Sequence, residues 1–73
     1  MSILTPRELA VVQLLGSGCT YEQVALQLGV SLHTVVTHIK NAYRKLDVHN
    51  GRAAVMRAAR LGLIQIDLGK EIA

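Results

Sequence analysis

The sequence predicts an all-α fold of four short helices in one domain, and three observations carry that expectation. A length of 73 residues suffices for a single domain with one small core. Apolar residues recur at helical spacing in four stretches, and each stretch has start and stop punctuation. The third observation is composition. Trp and Phe are absent and the only aromatics are Tyr21 and Tyr43. The core must then be built from Leu, Ile, Val and Ala, a mixture that suits helices in close contact.

The first helix opens at Thr5-Pro6-Arg7-Glu8. Thr5 can cap it, Pro6 fits the first helical position, and Glu8 can close a capping box. Val11, Val12 and Leu15 supply its apolar stripe, and Gly16-Ser17-Gly18 ends it. The second helix opens at Thr20, with Gln23 three positions on as another capping box. Val24, Ala25 and Leu28 form its buried side, and Gly29 stops it. Ser31 then caps a third helix expected over residues 32–46. Val35, Ile39, Ala42 and Leu46 follow one buried stripe, while His33, Val36, Thr37, Lys40 and Arg44 occupy the opposite side. Residues 47–51 read as a turn. A fourth helix is expected over 52–61, with Ala54, Val55, Ala58 and Leu61 facing the core and Gly62 closing it. The tail, residues 65–73, is left unassigned: Ile64, Ile66 and Leu68 alternate, but a lone strand there would be unstable. No internal repeat, linker or low-complexity segment interrupts the chain.

The joint between the second and third helices is the informative element. A short amphipathic helix ends in Leu28-Gly29-Val30-Ser31 and a longer one starts at once. Gly29 permits a sharp turn, Val30 can plug the gap between the helices, and Ser31 caps the next one. This is the pattern of a helix-turn-helix unit. In such units the second helix enters the major groove of DNA, N-terminal end foremost. Charge points the same way. The net charge is +3, and between residues 31 and 60 Lys40, Arg44, Lys45, Arg52, Arg57 and Arg60 stand against Asp47 alone. A basic half of this kind is the electrostatic footprint of a nucleic-acid binder, although a solvated face can look the same.

Leu4-Thr5-Pro6-Arg7-Glu8, Val24-Ala25, Val30-Ser31, Thr34-Val35, His38, Lys45-Leu46 and Val48, continuing through Ala54-Val55 to Gly62-Leu63-Ile64, resemble the LuxR/GerE DNA-binding domain. The resemblance covers about residues 4–64 without a gap, at fixed spacings. It implies a tetrahelical LuxR-type fold with the third helix as recognition helix and pairing through the fourth. It also implies the output part of a bacterial transcription regulator, such as a response regulator or autoinducer receptor, with double-stranded DNA as partner, a homodimer on DNA, and RNA polymerase nearby. Carried onto this sequence, Lys40 matches a common basic DNA contact, Thr37 a base-touching position, Thr34 a phosphate-contacting hydroxyl, and Thr20 the small hydroxyl residue that opens the second helix. His33, Asn41 and Arg44 complete the expected DNA-binding set. Three positions depart from the pattern. Val36 stands where Lys is common and offers only apolar contact, for instance to a thymine methyl. Tyr21-Glu22-Gln23 replaces a common Asn-Lys-Glu, and Gly51 stands where Arg is usual, with Arg52 one place later. On the fourth helix, Ala53, Met56 and Arg60 are expected to face away from the core and form the dimer interface.

Other chemistry has little support. No Ser/His/Asp or Cys/His arrangement, paired carboxylates or phosphate-binding glycine loop is visible, so neither an enzyme nor a cofactor is expected. Cys19 is the only cysteine and makes no disulfide framework or cysteine-based zinc site. Nothing beside it would activate the thiol. His33 and His38 are five residues apart and face apart on a helix, so His33, His38 and His49 are not read as a metal site; His38 reads as a half-buried structural residue. Arg57 and Arg60 read as solvated unless they meet phosphate or Asp47. No stretch reaches the roughly 18 unbroken apolar residues of a membrane span, which leaves the cytoplasm as the expected compartment. Two alternative functions stay open. One is a sigma-factor-like promoter-reading module, which predicts an end near the recognition helix. The other is a protein-interaction module of the same fold with reduced DNA affinity.

Overall fold

The computed structural model describes residues 3–65. Among these, α1 spans Pro6–Gly16, α2 Tyr21–Leu28, α3 Leu32–Leu46 and α4 Gly51–Arg60, with no strand. Residues 66–73 of the tail lie outside the described residues.

Local capping sets where each helix begins. The Thr5 hydroxyl accepts from the Glu8 amide at 3.2 Å, and the Glu8 carboxylate accepts from the Thr5 amide at 2.9 Å. Thr20 and Gln23 make the same reciprocal pair at 3.2 and 2.8 Å. Ser31 Oγ accepts from the Thr34 amide at 3.1 Å. Each pair satisfies donors that a helix start would otherwise leave without partners. The fourth helix corrects the expectation. It starts at Gly51, one residue early, because Asn50 Oδ1 accepts from the Ala53 amide at 2.9 Å. It ends at Arg60, and Leu61, expected in the core, is 53% exposed beyond the last turn.

All four helices close by one device. A left-handed residue turns the chain, and the next amide donates back five residues, as in a Schellman motif. These bonds run from Cys19 to Leu14, Val30 to Ala25, Val48 to Tyr43 and Leu63 to Ala58, at 2.9–3.1 Å. At the α2–α3 joint Gly29 takes the left-handed conformation, φ 68° and ψ 35°, which glycine adopts without steric cost. At the end of α3 the same place is held by Asp47, φ 58°, the only non-glycine residue with positive φ among the described residues.

Two apolar clusters hold the helices together. Val11, Val24, Ala25, Val35 and Ile39 fill the space between α1, α2 and the first half of α3. Leu4, Val12, Ala42, Leu46, Val48, Ala54, Ala58 and Ile64 fill the space between α1, α4 and the second half of α3. Each fully buried Val or Leu adds about 1.5–3 kcal/mol. Tyr43 packs against both clusters, and Leu15 and Leu28 are half-buried at the edge of the first. With α1 contacting the other three helices and α2 and α4 contacting α3, α3 is clamped along its inner side. Its outer side is left to solvent.

Candidate nucleic-acid interface

The inner stripe of α3 is Val35, Ile39, Ala42 and Leu46, all buried. At about 100° per residue, the direction opposite this stripe falls among His33, Thr37, Lys40, Asn41 and Arg44. His33, Thr37, Lys40 and Arg44 are exposed and Asn41 is half-buried, so the structure brings these five predicted residues onto one surface. Val36 is a correction. It lies about a quarter turn from the buried stripe, on the flank beside Leu32, and is half-buried. It nevertheless belongs to neither core cluster.

The polar groups on this surface are arranged by the helix itself. Thr37 Oγ1 donates to the His33 carbonyl at 3.1 Å, leaving its methyl and an oxygen lone pair to face outward. Arg44 Nη2 donates to Asn41 Oδ1 at 3.2 Å, which steadies the guanidinium one turn beyond Lys40. Thr34 is half-buried and its hydroxyl is 2.9 Å from Ser31 Oγ, so it serves the cap as well as facing the helix start. The first turn of α3 carries no acid, and the last carries Arg44 and Lys45. His38 is half-buried, as expected. Across the joint, Thr20 is exposed but its hydroxyl is engaged in capping α2. Glu22 is exposed in the first turn of that helix.

Two of the six cations counted in the sequence are committed to partners on other helices. Lys45 Nζ lies 2.8 Å from Glu8 Oε1. Arg57, expected to be idle, is corrected: its Nη1 donates to the Leu46 carbonyl at 3.2 Å and satisfies the last turn of α3. Neither pairing has a signal in the sequence, because the partners lie on different helices. That leaves Lys40 and Arg44 exposed on α3, and Arg52 and Arg60 exposed on α4.

Around the joint of three helices the Tyr21 and Tyr43 hydroxyls approach to 3.4 Å. Burial first, and then the Tyr21 hydroxyl, raise the Tyr43 pKa above its ordinary value. A Cβ at Gly51 would lie 3.2 Å from the Tyr43 hydroxyl, a tight contact that a larger residue could make only if the Tyr43 ring shifted by a few tenths of an ångström.

On α4 the structure separates the expected dimer residues. Ala53 is half-buried and packs against the core, contrary to the expectation that it faces away. Met56 is 47% exposed and Arg60 is exposed. Arg52, counted in the sequence as a cation but left out of the expected dimer face, is exposed too and falls into line with them at spacings of four, which puts all three on one helix face. Among the described residues, no helix is long and apolar enough to cross a membrane.

Comparison with known proteins bears on the family and the fold. Residues 2–58 match the family described as bacterial regulatory proteins, luxR family. The chain is 48% identical over 62 residues to the transcriptional activator protein CarR of Pectobacterium carotovorum subsp. carotovorum, a match covering 85% of this chain and 25% of CarR. It thus spans about a quarter of the length of that curated relative. Among solved structures, the transcription factor GerE superposes with a TM-score of 0.87 at 36% identity, over 92% of this chain and all of GerE.

Proposed function

The chain belongs to the luxR family of bacterial regulatory proteins, and from that premise we propose that it binds double-stranded DNA as the output module of a transcription regulator, with α3 in the major groove. One observation carries this reading. The outer face of a helix clamped on its inner side presents His33, Thr37, Lys40 and Arg44 together. Such a face can follow a groove lined by phosphates while its middle residues meet base edges. Lys40 sits centrally and takes the base-contacting role. Arg44 takes phosphate at the groove wall, Asn41 orients it, and Thr34 and Thr20 approach the backbone from the two helix starts. Glu22, close to Thr20, weakens that second approach.

Pairing on DNA belongs to the same reading. The exposed face of α4 carries Met56 between Arg52 and Arg60. A twofold contact there would bring like charges together, and one methionine cannot supply the roughly 1,000 Å² that lasting interfaces bury. The duplex, being anionic, offsets that repulsion. We therefore read the protein as a monomer in solution that pairs on DNA through Met56 and Arg60. It acts in the cytoplasm, beside RNA polymerase, and its input signal arrives through another domain or a partner.

Binding to duplex DNA measured by anisotropy across a salt series tests the reading. Affinity should fall with a log–log slope of about −0.9 per phosphate neutralised. Absent or salt-insensitive binding rejects it and leaves the protein-interaction module of the same fold.

A further inference from the structure

One flank of the leading end of α3 is apolar, beside the exposed polar His33 and Thr37. Leu32 is 44% exposed. Val36, four residues on, lies on the same flank and is half-buried without joining either core cluster. The core therefore gives no reason for either side chain. Two apolar groups left at the entrance of a cationic helix face do have a use in the major groove. There the only apolar feature on a base edge is the methyl at C5 of a pyrimidine.

Resting on the DNA-binding reading above, we propose that Val36, flanked by Leu32, reads a C5-methylated pyrimidine in each half-site, while Lys40 beside it supplies the polar contact. The selectivity follows from what valine lacks. Set against guanine O6 and N7 or a cytosine amino group, Val36 strips water from a polar edge and returns no hydrogen bond. Set against a methyl, it loses nothing and buries apolar surface on both partners. Thr37 reinforces the choice. Its hydroxyl proton is already given to the His33 carbonyl, so its methyl is free to face the same groove. Thymine and 5-methylcytosine both present this group.

The test needs a duplex selected by the protein from a library randomised at its centre. Deoxyuridine then replaces thymidine one position at a time, which removes the methyl and nothing else. One position per half-site should lose about fourfold in affinity, the worth of one buried methyl group. The Val36→Ala protein should bind the thymidine and deoxyuridine duplexes equally at that position. An unchanged thermal melt is expected for this variant, since Val36 lies outside both core clusters. A further pair, cytosine against 5-methylcytosine at the sensitive position, separates the sources. A larger gain from 5-methylcytosine than from thymine assigns the contact to methylated DNA. If no position responds to deoxyuridine, or the response survives Val36→Ala, the proposal is overturned while DNA binding stands. If no duplex is enriched and no salt-dependent binding is seen, the DNA-binding reading falls and takes this proposal with it.

Discussion

Lys45 Nζ lies 2.8 Å from Glu8 Oε1, and the pair ties the last turn of α3 to the first turn of α1. Glu8 is only 3% exposed and also accepts from the Thr5 amide, so one carboxylate caps α1 and anchors the candidate recognition helix. Among the described residues, every buried side-chain polar atom has a partner. Burial alone would raise the Glu8 pKa. The hydrogen bond from Lys45, those from Thr5 and the Lys45 charge together outweigh it, and the net value is lowered.

A group that holds its proton less tightly when folded stabilises the fold most when ionised. The contribution of Glu8 is therefore complete above its unfolded value near 4.5 and disappears as the pH falls through the lower folded value. Glu8→Gln keeps the cap and removes the ion pair. It should cost about 1–2 kcal/mol at neutral pH, allowing for the partly exposed lysine. Urea unfolding at several pH values should show the difference between wild type and variant closing in acid. A gap that stays constant with pH would show that the charge contributes nothing.

Asp47 stands alone among the four helix ends in taking a left-handed conformation without being glycine. Its charge also sits at the negative end of the α3 dipole. Asp47→Gly relieves the backbone, at the expense of a more flexible unfolded chain, and removes that repulsion. The balance should be stabilising by about 1 kcal/mol. Loss of an acid from the basic half should also tighten binding to random duplex. A lower melting temperature would show that the Asp47 side chain makes a contact the geometry does not reveal.

What the sequence made legible follows from how far each signal reaches. Thr5 with Glu8, Thr20 with Gln23 and Ser31 before Leu32 are caps written within one turn, and those three helix starts were expected where they occur. Asn50 is also a local cap, but it lies in a polar run followed by glycine, which reads as a turn. Leu61 fits the spacing of Ala54 and Ala58, yet the chain leaves the helix at Arg60 and turns the leucine out. Periodicity predicts a face only while the helix lasts. Lys45 and Glu8 are 37 residues apart, and nothing local in either marks the other. The outer face of α3 was legible because its inner stripe is so regular. Val36 was misplaced because half of a helix circumference is neither inside nor outside.

Lys40 and Arg44 differ in what their loss should do. On the proposed reading Lys40, exposed on the outer face, meets a base edge, so Lys40→Ala should cost about 1–3 kcal/mol on a selected site and relax one base position. On the same reading Arg44 meets phosphate, so Arg44→Ala should weaken selected and random duplexes alike and flatten the salt slope by about one unit. Unchanged site affinity in a folded Lys40→Ala variant would move the reading face elsewhere. A loss for Arg44→Ala confined to one base pair would reverse the two roles.

The proposed pairing on DNA turns on Met56. With Ala53 drawn toward the core and Leu61 turned out past the helix end, Met56 is the large apolar side chain left exposed within α4. Arg52 and Arg60 lie one turn to either side of it, so two free copies meet repulsion as well as a small contact. On an inverted repeat the geometry changes. In the proposed pairing, two α3 helices seated about 34 Å apart in successive major grooves would bring the partner surfaces together, with phosphates screening the arginines. The free protein should then sediment as a monomer, and binding to a two-site duplex should be cooperative. Met56→Glu should weaken the cooperativity while the thermal melt is retained, since Met56 lies outside both core clusters. The added carboxylate attracts the flanking arginines and so opposes the loss of the apolar contact, and the two effects must be read apart. Met56→Ala serves that purpose and should weaken cooperativity without changing charge. Cooperativity that survives both variants would place the contact elsewhere, and a stable dimer of the free protein would show that the arginines do not repel as argued.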